Sequence, residues 1–233
     1  MLSVKNLHAY YGRAHILQGV SLEAKAGEVV ALLGRNGAGK STAMKAIMGL
    51  LPPAEGEVSF AGRRIERLAP YRIARLGLGY VPEERRIFTE LTVLENLEVG
   101  RQMPRPGVPA WTETRLFALF PNLARLRERP GGLMSGGEQQ MLTIARTLMG
   151  NPSCVLLDEP SEGLAPVVVE QMAHSIRALK AEGLSVLLSE QNLHFSRAVA
   201  DRAYIIEKGQ IRFGGSMAEL AADASLREQY LSV

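Results

Sequence analysis

Residues 29–50 read VVALLGRNGAGKSTAMKAIMGL, and no other stretch limits the fold as tightly. An apolar run short enough for a buried strand gives way to a glycine-rich turn and then to a helical pattern. The turn satisfies G-x-x-x-x-G-K-[ST] in the strand, loop, helix order that a phosphate cradle requires. Glycines let the backbone curl closely around phosphates, successive N–H groups point inward, and the helix N-terminus adds a partial positive charge. In such a cradle Lys40 reaches the β and γ oxygens and the Ser41 hydroxyl ligates magnesium. The alternative is a glycine-rich turn without a ligand, which does not call for this order of elements.

The rest of the chain repeats that alternation. Strand-like runs at 2–10, 20–24, 28–33, 56–60, 78–81, 154–157, 185–189, 203–207 and 210–213 are interleaved with amphipathic helical patterns. The helical patterns lie near 40–50, 92–100, 112–127, 137–149, 167–182 and 192–200, with two short ones after 216. Strands alternating with helices imply an α/β sheet with a parallel core. The stretch 101–111, RQMPRPGVPAW, carries three prolines and reads as a loop inside the helical part. The 233 residues suffice for one large domain, or for a core with an appended lobe, and 46% hydrophobic residues can fill it.

A phosphate loop with magnesium needs a carboxylate at the tip of a neighbouring strand, and CVLLDEPSEGLAP at 154–166 offers two. Asp158 is placed to hold the metal's hydration shell. Strand neighbours face opposite ways, so Glu159 is free for a second task, orienting and polarising an attacking water near the γ-phosphate. Incidental capping acids are the alternative. Between the two motifs, LMSGGEQQMLTIARTLMG at 133–150 opens a long helical pattern with Ser135, Gly136 and Gly137. A hydroxyl and two small residues at a helix start make a second anion site, and two anion sites for one triphosphate suggest a shared ligand.

Charge and composition remove other classes. With 27 basic and 24 acidic residues the net charge is +3, too small to argue for nucleic acid. Arg63, Arg64, Arg67, Arg72 and Arg75 bunch together, and Arg85 adjoins Arg86, without the interleaved aromatics of a base-stacking surface. A solvated face is the plain reading, and contact with anionic headgroups the weaker one. No stretch reaches the roughly 18 unbroken apolar residues of a membrane span, and MLSVKNLHAYYG lacks a signal pattern, so the chain is expected to be soluble and not exported. The single cysteine, Cys154, sits in an apolar run and is expected to be a buried, inert thiol.

GRNGAGKST, the SGGEQQ signature and CVLLDEP, in this order and spacing, resemble the ATP-binding subunit of an ABC transporter over nearly the whole chain. GYVPEERRIFTELTVLENL, DEPSEGLAP and LLSEQN resemble the narrower LivF-type subunits of branched-chain amino-acid importers. The resemblance implies an α/β P-loop NTPase of ABC type, with a mostly parallel core sheet, an antiparallel β edge and an inserted helical lobe. It implies one domain over 1–233, with ATPase core at 1–83 and 151–233 and the lobe at about 84–150. ATP and magnesium are the implied cofactors, with ATP clamped between the phosphate loop of one subunit and the signature of another. Residue by residue, Tyr11 before Gly12 is the implied adenine-stacking aromatic; Gly34, Asn36, Gly37, Ala38, Gly39, Lys40, Ser41 and Thr42 hold the phosphates; Ser135, Gly136 and Gly137 serve the partner's ATP. Ser41, Asp158 and Glu83 fall at metal positions, and Lys40, Glu159 and Gln191 at catalytic ones. The implied partners are a sister ATP-binding subunit or a second copy, two membrane permeases and, indirectly, a periplasmic solute-binding protein, at the cytoplasmic face of the inner membrane.

Four positions depart from the wider pattern of that family. Glu83 stands where many members have glutamine, Ala165 where they have aspartate, Gln191 where they have histidine, and Met134 where leucine precedes the signature serine. The first three touch the metal, the dimer contact and the γ-phosphate, and so bear on the hydrolytic strength of this subunit's own site. They also match the LivF-type group, which favours specialisation. A soluble ABC-type ATPase not coupled to transport is the alternative, although the chain has one cassette and no basic tail.

Overall fold

A computed structural model describes residues 1–107 and 110–231. Its centre is the all-buried strand β3 (Val29–Leu33), every residue of which is apolar. A strand covered on both faces needs no polar alternation. Val29, Ala31 and Leu33 point into one core cluster, and Val30 and Leu32 into another. Two layers of side chains therefore sandwich one sheet.

That sheet has six strands in the order β10-β9-β3-β8-β7-β6, where β6 is Leu78–Val81, β7 Cys154–Asp158, β8 Ser185–Glu190, β9 Arg202–Glu207 and β10 Gln210–Ser216. All its pairings are parallel except β9 with β10, which forms an antiparallel edge. The first cluster packs against α6 (Gly136–Leu148), α7 (Pro166–Ala181) and α8 (Leu193–Val199). The second holds α1 (Lys40–Ile47) and a separate antiparallel sheet, order β2-β1-β4-β5, built from β1 (Leu2–Tyr11), β2 (Ala14–Ala24), β4 (Glu55–Phe60) and β5 (Arg63–Arg64). Cys154 lies in this layer, fully buried, and burial pushes its thiol up to about 12. Among the described residues no helix is long and apolar enough to cross a membrane.

The helices α3 (Val93–Gly100), α4 (Glu113–Leu119), α5 (Pro121–Arg125) and α6 all fall between β6 and β7 in the chain. Capping boxes start two of them, Thr92 with Glu95 and Ser135 with Glu138. The structure departs from the sequence reading in three places. The helix expected over 112–127 is two, because Pro121 cannot supply an N–H and restricts Phe120, which sits at φ −124° and ψ 73°. Among the clustered arginines a further helix, α2 (Pro70–Leu76), forms by burying Ile73, and the short β5 precedes it. Strand β2 starts at Ala14, not at 20, since a hairpin through Gly12 pairs Tyr11 with Ala14. Within the expected loop 101–111, residues 108 and 109 lie outside the described residues; 101–107 is irregular as expected.

Candidate functional site

The phosphate loop leaves the C-terminal end of β3 and enters α1. A Cβ on Gly34 would lie 2.5 Å from the carbonyl oxygen of Ile206, so only glycine fits where the loop starts. Gly39, at φ +110°, makes the left-handed step into the helix. Lys40 is 3% exposed, and its ammonium donates to the carbonyls of Gly34 at 2.8 Å and Arg35 at 3.0 Å. It also pairs with Glu159 Oε1 at 3.0 Å. The loop thus closes around its own lysine, and the charge sits at the floor of a cleft of about 350 Å³. Tyr11, Asn36, Gly37, Gly39, Ser41, Thr42 and Glu83 line the cleft beside Lys40 and Glu159. Gly34 and Ala38 do not: Ala38 turns into the core, and its carbonyl accepts from Gly209 N–H. Tyr11, at the end of β1, lines the cleft with its side chain 50% exposed.

Asp158 ends β7 with its carboxylate held by three hydroxyls. Ser41 Oγ and Ser189 Oγ donate to Oδ1 at 3.0 and 2.6 Å, and the Tyr80 hydroxyl donates to Oδ2 at 3.0 Å. Burial, reinforced by the Asp158 charge, holds the Tyr80 phenol above its ordinary range, so it remains a donor. Glu159 departs from the expectation that strand alternation separates the two acids. Both carboxylates reach consecutive residues of α1, Asp158 to Ser41 and Glu159 to Lys40. Alternation is broken because Glu159 adopts φ +46°, a left-handed conformation that costs a non-glycine residue of order 1 kcal/mol or more. Its N–H is held by the carbonyl and hydroxyl of Ser189, each at 3.1 Å. Gln191 Nε2 donates to Glu159 Oε2 at 3.1 Å, which joins the three candidate catalytic residues in one chain of contacts.

Carboxylates crowd this end of the cleft. Glu83 and Glu162 are exposed, but partial desolvation at the cleft wall raises the pKa of each; the nearby Glu159 and Asp158 charges raise Glu83 further, and Glu159 raises Glu162. Ser41, Asp158 and Glu83 offer hard oxygen atoms of the kind magnesium takes, and Lys45 offsets part of the Glu83 charge. Sequence reasoning missed Tyr80, Ser189, Glu162 and Glu190. The signal was available for Glu190, since SVLLSE repeats the pattern of CVLLDE, an apolar run ending in an acid.

Ser135, Gly136 and Gly137 are not among the residues lining the Lys40 cleft. Ser135 caps α6 by accepting from Glu138 N–H, while its own N–H and hydroxyl donate to Glu138 Oε2, both at 2.8 Å. A Cβ on Gly136 would meet the Arg85 guanidinium at 2.6 Å, and one on Gly137 would meet Val168 at 2.8 Å. The segment after Glu83 is tied to the same helix: Thr143 Oγ1 donates to the Arg85 carbonyl and Arg146 to that of Arg86, at 2.9 and 2.7 Å. The buried Asn96 fastens its far end through Phe88, Leu91 and Thr92. Ala165 stands exposed as the N-cap of α7 and offers that helix no side-chain hydrogen bond.

Residues 17–162 match the ABC transporter family. The chain is 42% identical over 231 residues to the high-affinity branched-chain amino acid transport ATP-binding protein BraG of Pseudomonas aeruginosa, covering 99% of each chain. It is 35% identical over 232 residues to the lipopolysaccharide export system ATP-binding protein LptB of Escherichia coli K12, covering 99% of this chain and 96% of the other. Its fold is similar to the crystal structure of a nucleotide-free ATP-binding cassette from an ABC transporter, with TM-score 0.84 and 29% identity over 98% of this chain and 97% of that one.

Proposed function

The chain belongs to the ABC transporter family as an ATP-binding subunit, and from that premise we propose that its hydrolysis of ATP drives import of branched-chain amino acids or related small solutes. It is an ATPase, and cassettes of this family form dimers and work with membrane permease subunits. The observation that carries the catalytic reading is the line Lys40–Glu159–Gln191, with contacts of 3.0 and 3.1 Å, beside an Asp158 bonded to Ser41.

In this reading Lys40 exchanges its carbonyl contacts for β- and γ-phosphate oxygens, and Tyr11 stacks on the adenine. Release of the Lys40 contact leaves Glu159 free to accept a proton from the attacking water, with Gln191 orienting that carboxylate. Ser41, Asp158 and Glu83 would hold magnesium, which when bound offsets the negative charge of the phosphates. Ser135, Gly136 and Gly137 would contact ATP held by a partner subunit, a second copy or a sister chain. The chain acts as one cassette, with core 1–83 and 151–233 and a lobe at about 84–150. It would sit peripherally at the cytoplasmic face of the cell membrane, with a periplasmic solute-binding protein acting only through the permeases.

The permease contact is assigned to a groove of about 610 Å³, whose walls include the exposed Leu50, Tyr71, Phe88 and Val99. Phe88 belongs to the segment after Glu83, and Tyr80 joins the groove wall to Asp158. Movement at the nucleotide therefore has a short route to that face.

The solute reading rests on 42% identity to BraG against 35% to LptB. The test is ATPase activity of the assembled transporter in vesicles, with leucine, isoleucine and valine offered through the solute-binding protein, and lipopolysaccharide as the competing cargo. Stimulation by the amino acids supports import; stimulation by lipopolysaccharide alone replaces it with export. A preparation in which no permease co-purifies favours the uncoupled ATPase. For the shared site, a forced heterodimer of Ser135→Arg and Lys40→Ala chains should keep half-site activity, because one composite site loses both elements and the other keeps both. An inactive but assembled heterodimer refutes it.

A further inference from the structure

Glu190 closes β8 and is 2% exposed, yet among the described residues no cation offsets its charge. Its partners are amides. Oε1 accepts from Ser161 N–H at 3.0 Å, and Oε2 accepts from Gln191 N–H and Asn192 N–H, each at 3.2 Å. Its backbone carbonyl accepts from Gly34 N–H at 3.3 Å. The donors come from three loops, those that carry Glu159, Gln191 and Lys40. Burial raises the pKa of this carboxyl, and the Ser161 and Asn192 amides pull it back. A buried charge without a counter-ion is costly, and an apolar side chain would fill the same space without that cost. Filling volume therefore does not account for an acid here.

We propose that Glu190 is a positioning residue for ATP hydrolysis: its carboxylate ties the Ser161 amide to the amides of Gln191 and Asn192, so that the Glu159 turn and the Gln191 loop keep one fixed spacing. This rests on the reading of Glu159 as base. Glu190 is not among the residues lining the Lys40 cleft, so it acts through other residues. What it governs is the 3.1 Å contact from Gln191 Nε2 to Glu159 Oε2, and the seat of a base held in a left-handed conformation. Displacing a catalytic group by about 1 Å can lower a rate about 10²-fold. The Gly34 contact uses the backbone and survives any substitution at 190, so nucleotide affinity is not part of its task.

The test is Glu190→Gln in the assembled transporter. Glutamine keeps the size but sets an NH₂ against one of the amides that the carboxylate accepts. We expect kcat to fall about 10- to 100-fold with the ATP Kd within about twofold. Because the effect passes through Glu159, the same substitution in a Glu159→Gln background should lower single-turnover phosphate release by less than about threefold, a non-additivity that general destabilisation does not produce. If Glu190→Gln does not assemble, Glu190→Asp replaces it; one methylene shorter, it cannot reach both amide groups and should show the same split. A kcat within about twofold of the parent overturns the proposal, as does an equal loss in the Glu159→Gln background together with weaker ATP binding and a lower Tm. Lys40→Ala is run alongside. If it binds ATP as the parent does, the site reading itself fails and Glu190's role falls with it. If it loses binding while Glu190→Gln turns over normally, only the role of Glu190 is refuted.

Discussion

Strands β7 and β8 lie side by side and end alike, VLLDE at 155–159 and VLLSE at 186–190, in register from Val155 opposite Val186 to Asp158 opposite Ser189. Their final acids nevertheless do different things. Glu159 leaves the strand at φ +46° and meets Lys40 at 3.0 Å; Glu190 remains in the strand and is satisfied by backbone amides. The residue before each acid separates them as well, since Ser189 is a donor and Asp158 the acceptor it bonds at 2.6 Å. An acid at the end of an apolar strand is thus not a role in itself. The role follows from what the next loop places within reach, a cation for one and N–H groups for the other.

Substitutions at four positions bear on that contrast. The largest expected effect is at the acid beside the cleft: Glu159→Gln should slow hydrolysis by roughly 10²–10⁴ while ATP affinity is kept, read by single-turnover phosphate release and nucleotide titration. Turnover that barely moves would place the base elsewhere and erase the distinction between the strand ends. Next comes their bridge. Gln191→Ala removes the amide donor to Glu159 and should slow turnover about tenfold, whereas Gln191→His keeps a donor and adds pH dependence between about 5.5 and 7.5. Rate profiles against pH that coincide for all three forms would leave Gln191 structural.

Smaller still is Tyr80→Phe, which deletes one of the hydroxyls on Asp158 and should raise the magnesium concentration for half-maximal activity about fivefold, near 1 kcal/mol. Unchanged magnesium dependence would mean that Ser41 and Ser189 suffice to hold the carboxylate. The smallest effect is on stability, at Glu162. Partial desolvation of this exposed side chain and then the Glu159 charge raise its pKa above 4.5, so the folded state binds that proton more tightly than the unfolded chain does. The charge therefore costs nothing well below the ordinary carboxylate pKa, and it opposes folding as pH rises through the raised value. Glu162→Gln should lift Tm near about pH 7, with the gain shrinking toward about pH 4. A gain independent of pH would assign the effect to packing.

Much of this was legible in the sequence because it rests on local rules. The phosphate loop needs glycines at fixed positions, capping boxes need a hydroxyl followed three residues later by Glu, and an all-apolar VVALL needs cover on both faces; each is a statement about neighbours along the chain. The helix α2 escaped because its arginines hide a single buried residue, Ile73, and periodicity cannot be counted from one position. Tyr80 and Ser189 escaped for a different reason. Their shared partner, Asp158, is 78 and 31 residues away, and no pattern along the chain marks such a pairing.

The sequence alone determined most of the alternation of strands and helices and the phosphate loop, since those follow from side-chain period and backbone freedom, while the signature and the family came from the resemblance that GRNGAGKST, SGGEQQ and CVLLDEP carry. Only the tertiary structure decided which carboxylate meets which partner. Strand alternation assigns Asp158 and Glu159 to opposite faces, and the structure overrides it because a left-handed step at Glu159, held by Ser189 from the neighbouring strand, brings both acids to α1. That step costs conformational energy locally and is sustained by contacts from residues distant in the chain, so it exists only once the sheet has formed.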